Sequence, residues 1–417
     1  MQALILAAGP SSRFYPFSSM GHKSMIKIAG KPILQYTIEG LRKIGIKNIV
    51  LLVSPDSKIK DYFKDGKDFG VLLSYAIQKE PNGAGQGILL TKDLIKEDFL
   101  LLNASHADIE KFALLLLEAK SKDTDALFLV QKRAETWNYG VVKVEGTKIL
   151  DLVEKPKKGE EPSKLCVLGI YLFSKDFLRE LKETPYEHYQ LEKAISSYAK
   201  TKNIGAIETN EKSVTLKFPW NLLTLKDYIL KNIKRSISSK AKIEQSAEVI
   251  GSVIIEEGAA ISNGAKIKGP CYIGKNAFIG DNVVLRAGVD VEEQSVIGAN
   301  MELKNTLVMS GSKTHSGFIG DSIIGENCRI GTQFCTANVR LDREPVSCIV
   351  KGEPVDTGMK FFGTIIGNDV KIGVKSSTMP GVIIGNNAII GPSTTVLKNV
   401  EEGTKYYSKF QEIVSKK

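Results

Sequence analysis

Small residues and two basic side chains follow the first apolar segment of the chain. That segment ends in Ala7, Ala8 and Gly9, and Arg13 and Lys23 come soon afterwards. Small residues after a buried strand let backbone N–H groups approach a phosphate, and nearby cations neutralise its charge. The pattern predicts a phosphate site, although an ordinary turn between a strand and a helix explains these residues equally well.

A second group of side chains that could bind or react with a substrate lies near residue 300. Arg286 and Lys304 are eighteen residues apart, and cations stacked above one another suit a phosphate. His315 is one of only four histidines, and histidine changes charge near neutral pH. A solvated protein face is the alternative interpretation of the two cations.

The elements around this second group are defined by a six-residue period. An aliphatic residue or methionine occupies every sixth position twelve times in succession, at Ile243, Val249, Ile255, Ile261, Ile267, Ile273, Ile279, Leu285, Val291, Ile297, Leu303 and Met309. Each six-residue unit forms one flat side of a triangular coil, and its aliphatic residue points inward. The pattern predicts a left-handed parallel β-helix of hexapeptide repeats over residues 243–417.

The six-residue period predicts where Arg286, Lys304 and His315 lie on the coils. Arg286 and Lys304 are three repeats apart, so we expect them on the same side of successive coils. The period lapses near His315, and a side chain exposed at such a break can reach a substrate. A non-repeating insert at Val339–Phe362 is expected to form an exposed loop, where functional residues often lie.

Residues 1–230 follow a different pattern, in which short apolar runs alternate with helical stretches. The predicted strands are Ala3–Ala7, Asn48–Val53, Phe99–Leu102, Ala126–Val130 and Val141–Val144, and the predicted helices are Pro32–Ile44 and Phe112–Ala119. This alternation is typical of a doubly wound α/β domain with a largely parallel sheet, whose ligands bind at the carboxyl ends of the strands. The polar segment 231–242 is interpreted as a linker.

Composition excludes several other classes of protein. The 417 residues carry a formal charge of +10, but the lysines are spread through both halves, so small anionic substrates explain the charge and no nucleic-acid partner is expected. No run approaches the ~18 apolar residues of a membrane span, so no membrane association is expected. Five scattered cysteines without CxxC spacing argue against a zinc site and favour a reducing, cytoplasmic location.

The motifs of the first half resemble those of the sugar-1-phosphate nucleotidylyltransferases. They are Leu6-Ala7-Ala8-Gly9 with Arg13 and Lys23, Gly30-Lys31-Pro32, Gln78 with Gly83, Tyr139-Gly140, Glu154-Lys155-Pro156 and Gly169-Ile170-Tyr171. Together with the hexapeptide coils, they resemble the archaeal form of the bifunctional uridylyltransferase/acetyltransferases that make UDP-N-acetylglucosamine. The resemblance covers nearly the whole chain.

This resemblance implies roles for residues in the first half. Arg13 and Lys23 would hold the nucleotide and sugar phosphates as catalytic cations. The nucleotide would be bound by Ala8, Gly9, Gln78 and Gly83, and the sugar by Gly140, Glu154 and Lys155. A surface polar residue is the alternative for Gln78, and a solvated strand end for Glu154 and Lys155.

The resemblance also implies an acetyltransferase site in the coils, which transfers the acetyl group of acetyl-CoA to the amine of a hexosamine 1-phosphate. The amine must be neutral to attack a thioester, so the site needs a base, and His315 fits that role. The substrate-binding residues would be Arg286, Glu302, Lys304, Asn338 and Lys351. Phe318 and Arg329 depart from the family pattern, which has tyrosine and asparagine at these positions.

Departures in the first half affect the expected metal. Mg²⁺ in these enzymes requires carboxylate oxygens, but Ser105 and Thr215 stand at the family's two aspartate positions. Val167 replaces an asparagine that contacts the sugar, and Ser11 a glycine. We therefore expect no metal-ligating residues in this sequence, and a role for Mg²⁺ is doubtful.

Two functions follow. The first is a bifunctional enzyme that acetylates an amino-sugar 1-phosphate and couples a sugar 1-phosphate to UTP or dTTP, with a homotrimer as the expected assembly. The second is a divergent paralogue whose first domain binds a nucleotide sugar without turnover, as a regulatory or structural subunit.

Overall fold

The computed structural model describes residues 1–214, 216–411 and 414–415. No helix within these ranges is both long and apolar enough to cross a bilayer. The five cysteines carry free thiols, and all except Cys335 are buried.

The chain divides into two compact units. The first consists of Met1–Ser11 and Pro32–Thr215, and the second of Ser12–Lys31 and Leu216–Lys417. This division differs from the predicted domains 1–230 and 243–417 and the predicted linker 231–242, because it places an N-terminal segment together with the repeats.

The first unit contains one nine-stranded mixed sheet. Its strands lie in the order Leu72–Ile77, Asn48–Val53, Gln2–Ala7, Phe99–Asn103, Leu165–Phe173, Ala126–Lys132, Ile204–Glu208, Lys148–Glu154 and Gly140–Glu145. The strand Gln2–Ala7 lies inside the sheet, is buried along most of its length, and is parallel to both of its neighbours. The five predicted strands and the alternation of strands with helices are confirmed.

Helices of moderate length pack against this sheet. In the first unit they are Ile33–Lys43, Lys58–Phe63, Ala84–Leu89, Ile109–Ala119, Phe177–Glu183 and Gln190–Thr201, with a 3-10 turn at Lys67–Phe69. The helix Ile33–Lys43 buries Ile33, Leu34 and Leu41 on one side and ends in Arg42 and Lys43, which suit a helix C-terminus. Both predicted helices are confirmed.

The second unit is a left-handed parallel β-helix with three sheets, as the hexapeptide pattern predicts. The first sheet contains Ser236–Ile237, Val253–Ile255, Cys271–Ile273, Val289–Val291, Leu307–Val308, Ile323–Ile324, Thr364–Ile366 and Val382–Ile384. The second contains Lys242–Ile243, Ala260–Ile261, Phe278–Ile279, Val296–Ile297, Lys313–Thr314, Arg329–Ile330, Lys371–Ile372, Ile389–Ile390 and Lys405–Tyr406. The third contains Glu248–Ile250, Lys266–Lys268, Val284–Leu285, Met301–Lys304, Gly317–Gly320, Phe334–Thr336, Ser377–Thr378 and Thr395–Val396.

Shortened coils explain why the period lapses near His315. Ile279 pairs with Ile297, eighteen residues later, whereas Ile297 pairs with Thr314, which is one residue closer. Thr314 takes the inward position and is 2% exposed. The coil is therefore continuous here, and a threonine replaces the aliphatic residue.

The insert predicted at Val339–Phe362 contains an antiparallel hairpin. Its strands are Ser347–Val350 and Glu353–Asp356. Cys348 is buried in the hairpin, whereas Leu341 is fully exposed. The insert thus leaves the coils, as predicted, but part of it is regular structure.

Two further elements of the second unit contact the coils. The helix Asn221–Lys231 anchors itself through Lys226, whose Nζ donates to the carbonyl oxygen of Gly288 and to Asn305 Oδ1. The segment Ser12–Lys31 contains 3-10 turns at Phe17–Met20 and Lys23–Met25, and its short strand Lys27–Ile28 pairs with Lys31–Pro32.

Candidate functional sites

The carboxyl end of the strand Gln2–Ala7 leads into the first predicted binding loop. Ala8 is buried, and Gly9 has open space where a side chain would project. Ser11 takes a φ of +51°, a conformation that costs a non-glycine residue free energy. Glycine adopts this conformation without that cost, which explains the glycine that the family pattern has at this position.

The neighbouring strand Phe99–Asn103 ends without an open carboxylate. Ser105 is buried, and Asp108 is 3% exposed. Asp108 Oδ2 accepts a hydrogen bond from the backbone N–H of Val214 at 3.0 Å, and Oδ1 lies 3.5 Å from His106 Nδ1. Burial raises the pKa of Asp108, but His106 and the Val214 N–H outweigh it and hold that pKa below its usual range. Asp108 therefore joins two loops.

The residues at this strand end do not fit a magnesium ion. A buried hydroxyl stands at one of the family's aspartate positions, and Asp108 is already engaged. Thr215, at the other aspartate position, lies outside the described residues. Within the described part of the chain, no three His, Cys, Asp or Glu residues lie close enough to hold a metal ion. Since Mg²⁺ needs carboxylate oxygens, the described residues at this strand end do not provide a magnesium site.

Gln78 and Gly83, the predicted base-binding pair, contact each other directly. Gln78 Nε2 donates to the carbonyl oxygen of Gly83 at 3.0 Å. Gly83 has a φ of +92°, and a side chain there would lie 3.3 Å from the carbonyl oxygen of His188. A side chain at Gly87 would also meet the Gln78 amide. Because Gly87 has no side chain, the half-buried amide of Gln78 fits between it and the backbone of Gly83.

The predicted sugar-binding residues form a second cluster in the first unit. Gly140 pairs with Glu154 across two strands, and a side chain at Gly140 would lie 2.9 Å from Glu154 Oε2. Lys155 Nζ lies 3.1 Å from Glu154 Oε1 and faces the ring of Tyr189. Because His188 borders Gly83, the segment that contains His188 and Tyr189 connects this cluster with the Gln78 pair.

Arg13 and Lys23 belong to the second unit. Arg13 is exposed, and Lys23 Nζ donates to the carbonyl oxygen of Leu216. Burial, followed by the charge of Arg13, lowers the pKa of Lys23 to about 8. Their predicted role beside Ala8 and Gly9 stays a prediction.

His315 occupies a special position in the β-helix. The register of the second sheet places it at the same corner as glycines in the coils before and after it, namely Gly298, Gly331, Gly373 and Gly391. At each of these glycines an added side chain would collide with the next coil. His315 is exposed, and its imidazole stands between glycines of the coils before and after it.

A groove of about 520 Å³ lies beside this column. It is lined by His315, by the glycines of later coils and by Tyr407. Three cations, Lys313, Arg329 and Lys371, also border it and stand in register on successive coils. The groove is therefore suited to an elongated anion.

Sequence reasoning assigns neither Arg329 nor Lys371 to a site, and Arg329 stands out only as a departure from the family pattern. The signal is nevertheless present, because each cation directly precedes the inward residue of its repeat, as in Lys313-Thr314, Arg329-Ile330 and Lys371-Ile372. An alignment of the repeats by coil is enough to reveal the column.

The remaining predicted acetyltransferase residues lie elsewhere on the coils. Arg286 follows Leu285 as Lys304 follows Leu303, and these positions are in register. Arg286 pairs with Glu302 at 3.1 Å, and Lys304 Nζ donates to Asp321 Oδ2 at 3.0 Å. They lie at one end of the third sheet's strands, whereas His315 precedes the other end.

Two further predicted residues have different surroundings. Asn338 Nδ2 donates to Asp321 Oδ2 at 2.6 Å, so Asn338 joins Lys304. Lys351 lies at the exposed turn of the hairpin, with a φ of +53°. Within one chain, Lys304 and Asn338 therefore lie side by side on Asp321, whereas His315 and Lys351 lie elsewhere on the second unit.

Three known families match parts of this chain. Residues 2–214 match the nucleotidyl transferase family, residues 267–375 the GMPPB C-terminal domain, and residues 363–398 the bacterial transferase hexapeptide repeats. Fold and matches together define a transferase with a nucleotidyltransferase domain and a hexapeptide domain of the acetyltransferase type.

Curated relatives extend over the full length. The bifunctional protein GlmU of Methanococcus maripaludis is 37% identical over 100% of both chains. A bifunctional sugar-1-phosphate nucleotidylyltransferase/acetyltransferase of Sulfurisphaera tokodaii is 34% identical, over 97% of this chain and 99% of the relative. The chain belongs to this family of bifunctional sugar-1-phosphate nucleotidylyltransferase/acetyltransferases. The predicted family, fold and bifunctional transferase function are thereby confirmed, and these relatives give no support to the paralogue without turnover.

Proposed function

We propose that the β-helix transfers the acetyl group of acetyl-CoA to the amine of a hexosamine 1-phosphate, and that the first unit couples a sugar 1-phosphate to UTP or dTTP. The observation that supports acetyl transfer most is the position of His315. An exposed imidazole replaces glycine at one corner of the coils and opens onto a groove bordered by three cations.

The reaction at this groove follows from the chemistry of a thioester. The neutral amine attacks the acetyl carbonyl carbon, a C–N bond forms, the C–S bond breaks, and the thiolate of coenzyme A leaves. His315 accepts the proton that the amine loses, and this proton then passes to the thiolate or to solvent. A positioned general base of this kind contributes ~10²–10⁴-fold to a rate.

The cation column supplies a place for the anionic part of acetyl-CoA. Lys313, Arg329 and Lys371 are exposed, and the column rises along successive coils from His315. Arg329 Nη1 donates to the carbonyl oxygen of Gly311 at 3.1 Å, which orients the guanidinium. Phosphates bound along this column would direct the thioester end of acetyl-CoA toward His315.

The phosphate of the amino sugar is assigned to Arg286 and Lys304, with Glu302, Asn338 and Lys351 as further substrate contacts. Because these cations lie at one end of the third sheet's strands and His315 precedes the other end, we propose that a second copy of the chain completes each site. The homotrimer that the family resemblance implies would provide this second copy.

The proposed nucleotidyl transfer is supported by the two clusters of predicted binding residues in the first unit. Gln78 and Gly83 present an amide and backbone groups that suit a pyrimidine base, and Glu154 with Lys155 suits sugar hydroxyls. Ala8 and Gly9 suit a phosphate. The family resemblance alone assigns Arg13 and Lys23 to the phosphates of the substrates. Because Ser105 and Thr215 carry hydroxyls in place of the family's carboxylates, we expect nucleotidyl transfer to be slower than is usual for the family.

The proposed function is tested by following both half-reactions with the full chain. We expect thiol release from acetyl-CoA with glucosamine 1-phosphate or galactosamine 1-phosphate, and none with N-acetylglucosamine 1-phosphate, which has no free amine. Release of pyrophosphate from UTP or dTTP with a panel of sugar 1-phosphates tests the other half. Absence of thiol release with every amino-sugar phosphate would refute the proposed acetyl transfer.

A further inference from the structure

A buried carboxylate connects the predicted phosphate-binding side chains of the β-helix. Asp321 is 3% exposed, and its Oδ2 accepts from Lys304 Nζ at 3.0 Å and from Asn338 Nδ2 at 2.6 Å. Its Oδ1 accepts from Asn305 Nδ2 at 2.9 Å. Both carboxylate oxygens are therefore used to hold neighbouring side chains.

Hydrogen bonds also hold the backbone of Asp321 in place. Its N–H donates to the carbonyl oxygen of Lys304 at 2.8 Å, and its carbonyl oxygen accepts from the N–H of Gly363 at 2.9 Å. Gly363 is the residue at which the chain re-enters the coils after the insert. Asp321 thus links three successive passes of the chain at one corner.

The network continues to the helix Asn221–Lys231. Lys226 is 0% exposed, and its Nζ donates to Asn305 Oδ1 at 2.7 Å, to Asp227 Oδ1 at 2.7 Å and to the carbonyl oxygen of Gly288. An ammonium group has three N–H donors. Because all three are used and the group is fully buried, Lys226 can act on a ligand only through Asn305 and Asp321.

Lys304 and Asn338, in contrast, keep donors for a ligand. The side chain of Lys304 is 26% exposed, and Asp321 takes only one of its three N–H groups. The ring of Phe361 lies 4.4 Å from Lys304 Nζ, which limits the positions that the ammonium can take. The Asn338 amide likewise retains one N–H. The arrangement fixes two donors side by side and leaves both able to bind an anion.

We propose that Asp321, supported by Lys226 through Asn305, is a positioning residue for the phosphate of the amino-sugar substrate. This rests on the proposed function, in which Lys304 and Asn338 bind that substrate. Asp321 does not touch the ligand. It fixes the side chains that do, and so reduces the loss of conformational entropy that ordering a long lysine side chain would otherwise add to substrate binding.

The test compares Asp321→Asn with Glu257→Gln in the full chain. Glu257 pairs with Lys240 at 2.7 Å across the same seventeen-residue spacing as Asp321 and Lys304, in the first coils. We expect Asp321→Asn to weaken binding of glucosamine 1-phosphate by about tenfold in calorimetry, and to raise KM by a similar factor with kcat changed less than about threefold. Glu257→Gln should stay within about twofold of wild type, because an exposed ion pair contributes little, and Asp321→Glu should recover part of the affinity.

The possible outcomes separate this proposal from the proposed function. If wild type binds glucosamine 1-phosphate but transfers no acetyl group, the proposed acetyl transfer fails, and the affinity of Asp321→Asn still decides the role of Asp321. The positioning role is overturned if Asp321→Asn binds as wild type does, if wild type does not bind, or if the variant loses thermal stability and kcat with an unchanged KM.

Discussion

Asp290 lies in the strand Val289–Val291 and Glu292 directly follows it, and each accepts a backbone hydrogen bond from the segment Ser12–Lys31. Asp290 Oδ2 accepts from the N–H of Ala29 at 2.8 Å, and Glu292 Oε1 from the N–H of Gly30 at 3.0 Å. The second oxygen of each carboxylate is also buried, and a hydrogen bond between the two carboxyl groups lowers the pKa of Asp290. The two acids thus attach the segment that contains Arg13 and Lys23 to the coils.

These acids predict a pH-dependent stability. Burial raises the pKa of both, and the mutual repulsion of the two carboxylates raises that of Glu292 further. The N–H groups of Ala29 and Gly30 oppose this increase, and so do, to a smaller extent, the charges of Lys226 near Asp290 and Lys27 near Glu292. The folded state therefore holds protons that the unfolded state has released once pH exceeds the ordinary carboxyl range, so stability falls as pH rises from about 4 toward the raised values.

We expect Asp290→Asn to flatten this profile. The unfolding midpoint of wild type should fall by several degrees more than that of the variant between about pH 5 and pH 8, because a pKa that differs by one between the folded and the unfolded chain corresponds to about 1.4 kcal/mol of stability. Calorimetry or circular dichroism at a series of pH values measures this. The exposed corner variant Asp281→Asn serves as the control and should follow wild type. Parallel profiles for wild type and Asp290→Asn would contradict the account.

A second prediction concerns Ser105 and Thr215. With hydroxyls at the family's carboxylate positions, we expect Mg²⁺-dependent release of pyrophosphate from UTP or dTTP to be far slower than is usual for the family. Replacing both residues, Ser105→Asp with Thr215→Asp, should raise it, provided that the buried Ser105 site accepts the larger side chain.

Two results would count against this expectation. One is rapid turnover by wild type, and the other is a double variant that stays folded without any gain. Asp108→Ala then distinguishes the causes. Because Asp108 holds the Val214 N–H, its loss should lower thermal stability, whereas loss of turnover in a stable variant would indicate a substitute metal ligand.

The third prediction concerns assembly. The family resemblance implies a homotrimer, in which apolar side chains such as Leu341, Leu397 and Phe361, each more than half exposed on the second unit, could become covered. We expect light scattering at micromolar concentration to give three times the chain mass of 45.7 kDa. A stable species with the mass of one chain would refute the homotrimer.

The sequence predicts the repeats well because the inward position of each coil accepts little except an aliphatic side chain. Thr314 shows the limit of that rule. Its hydroxyl is buried in the stack, so the period appears broken in the sequence although the coil continues. His315 is nevertheless exposed, as expected, because the residue after the inward position lies at a corner of the coil.

Contacts between distant residues could not be predicted in the same way. The attachment of Ala29 to Asp290 spans 261 residues, and no periodicity connects them. The same holds for Lys226, which reads in the sequence as an ordinary helical lysine but is fully buried. Charged residues that are buried by tertiary contacts follow no local pattern.

In the proposed reaction His315 is the base for acetyl transfer, and the repeat itself provides a control for folding. Because glycine occupies the same corner in neighbouring coils, His315→Gly should fold as wild type, and His315→Ala can be compared with it. The decisive measurement is the rate of free thiol release from acetyl-CoA with glucosamine 1-phosphate. We predict a fall of roughly 10²–10⁴-fold in both variants, with little change in KM for the sugar phosphate. A variant that releases thiol as fast as wild type would contradict the account.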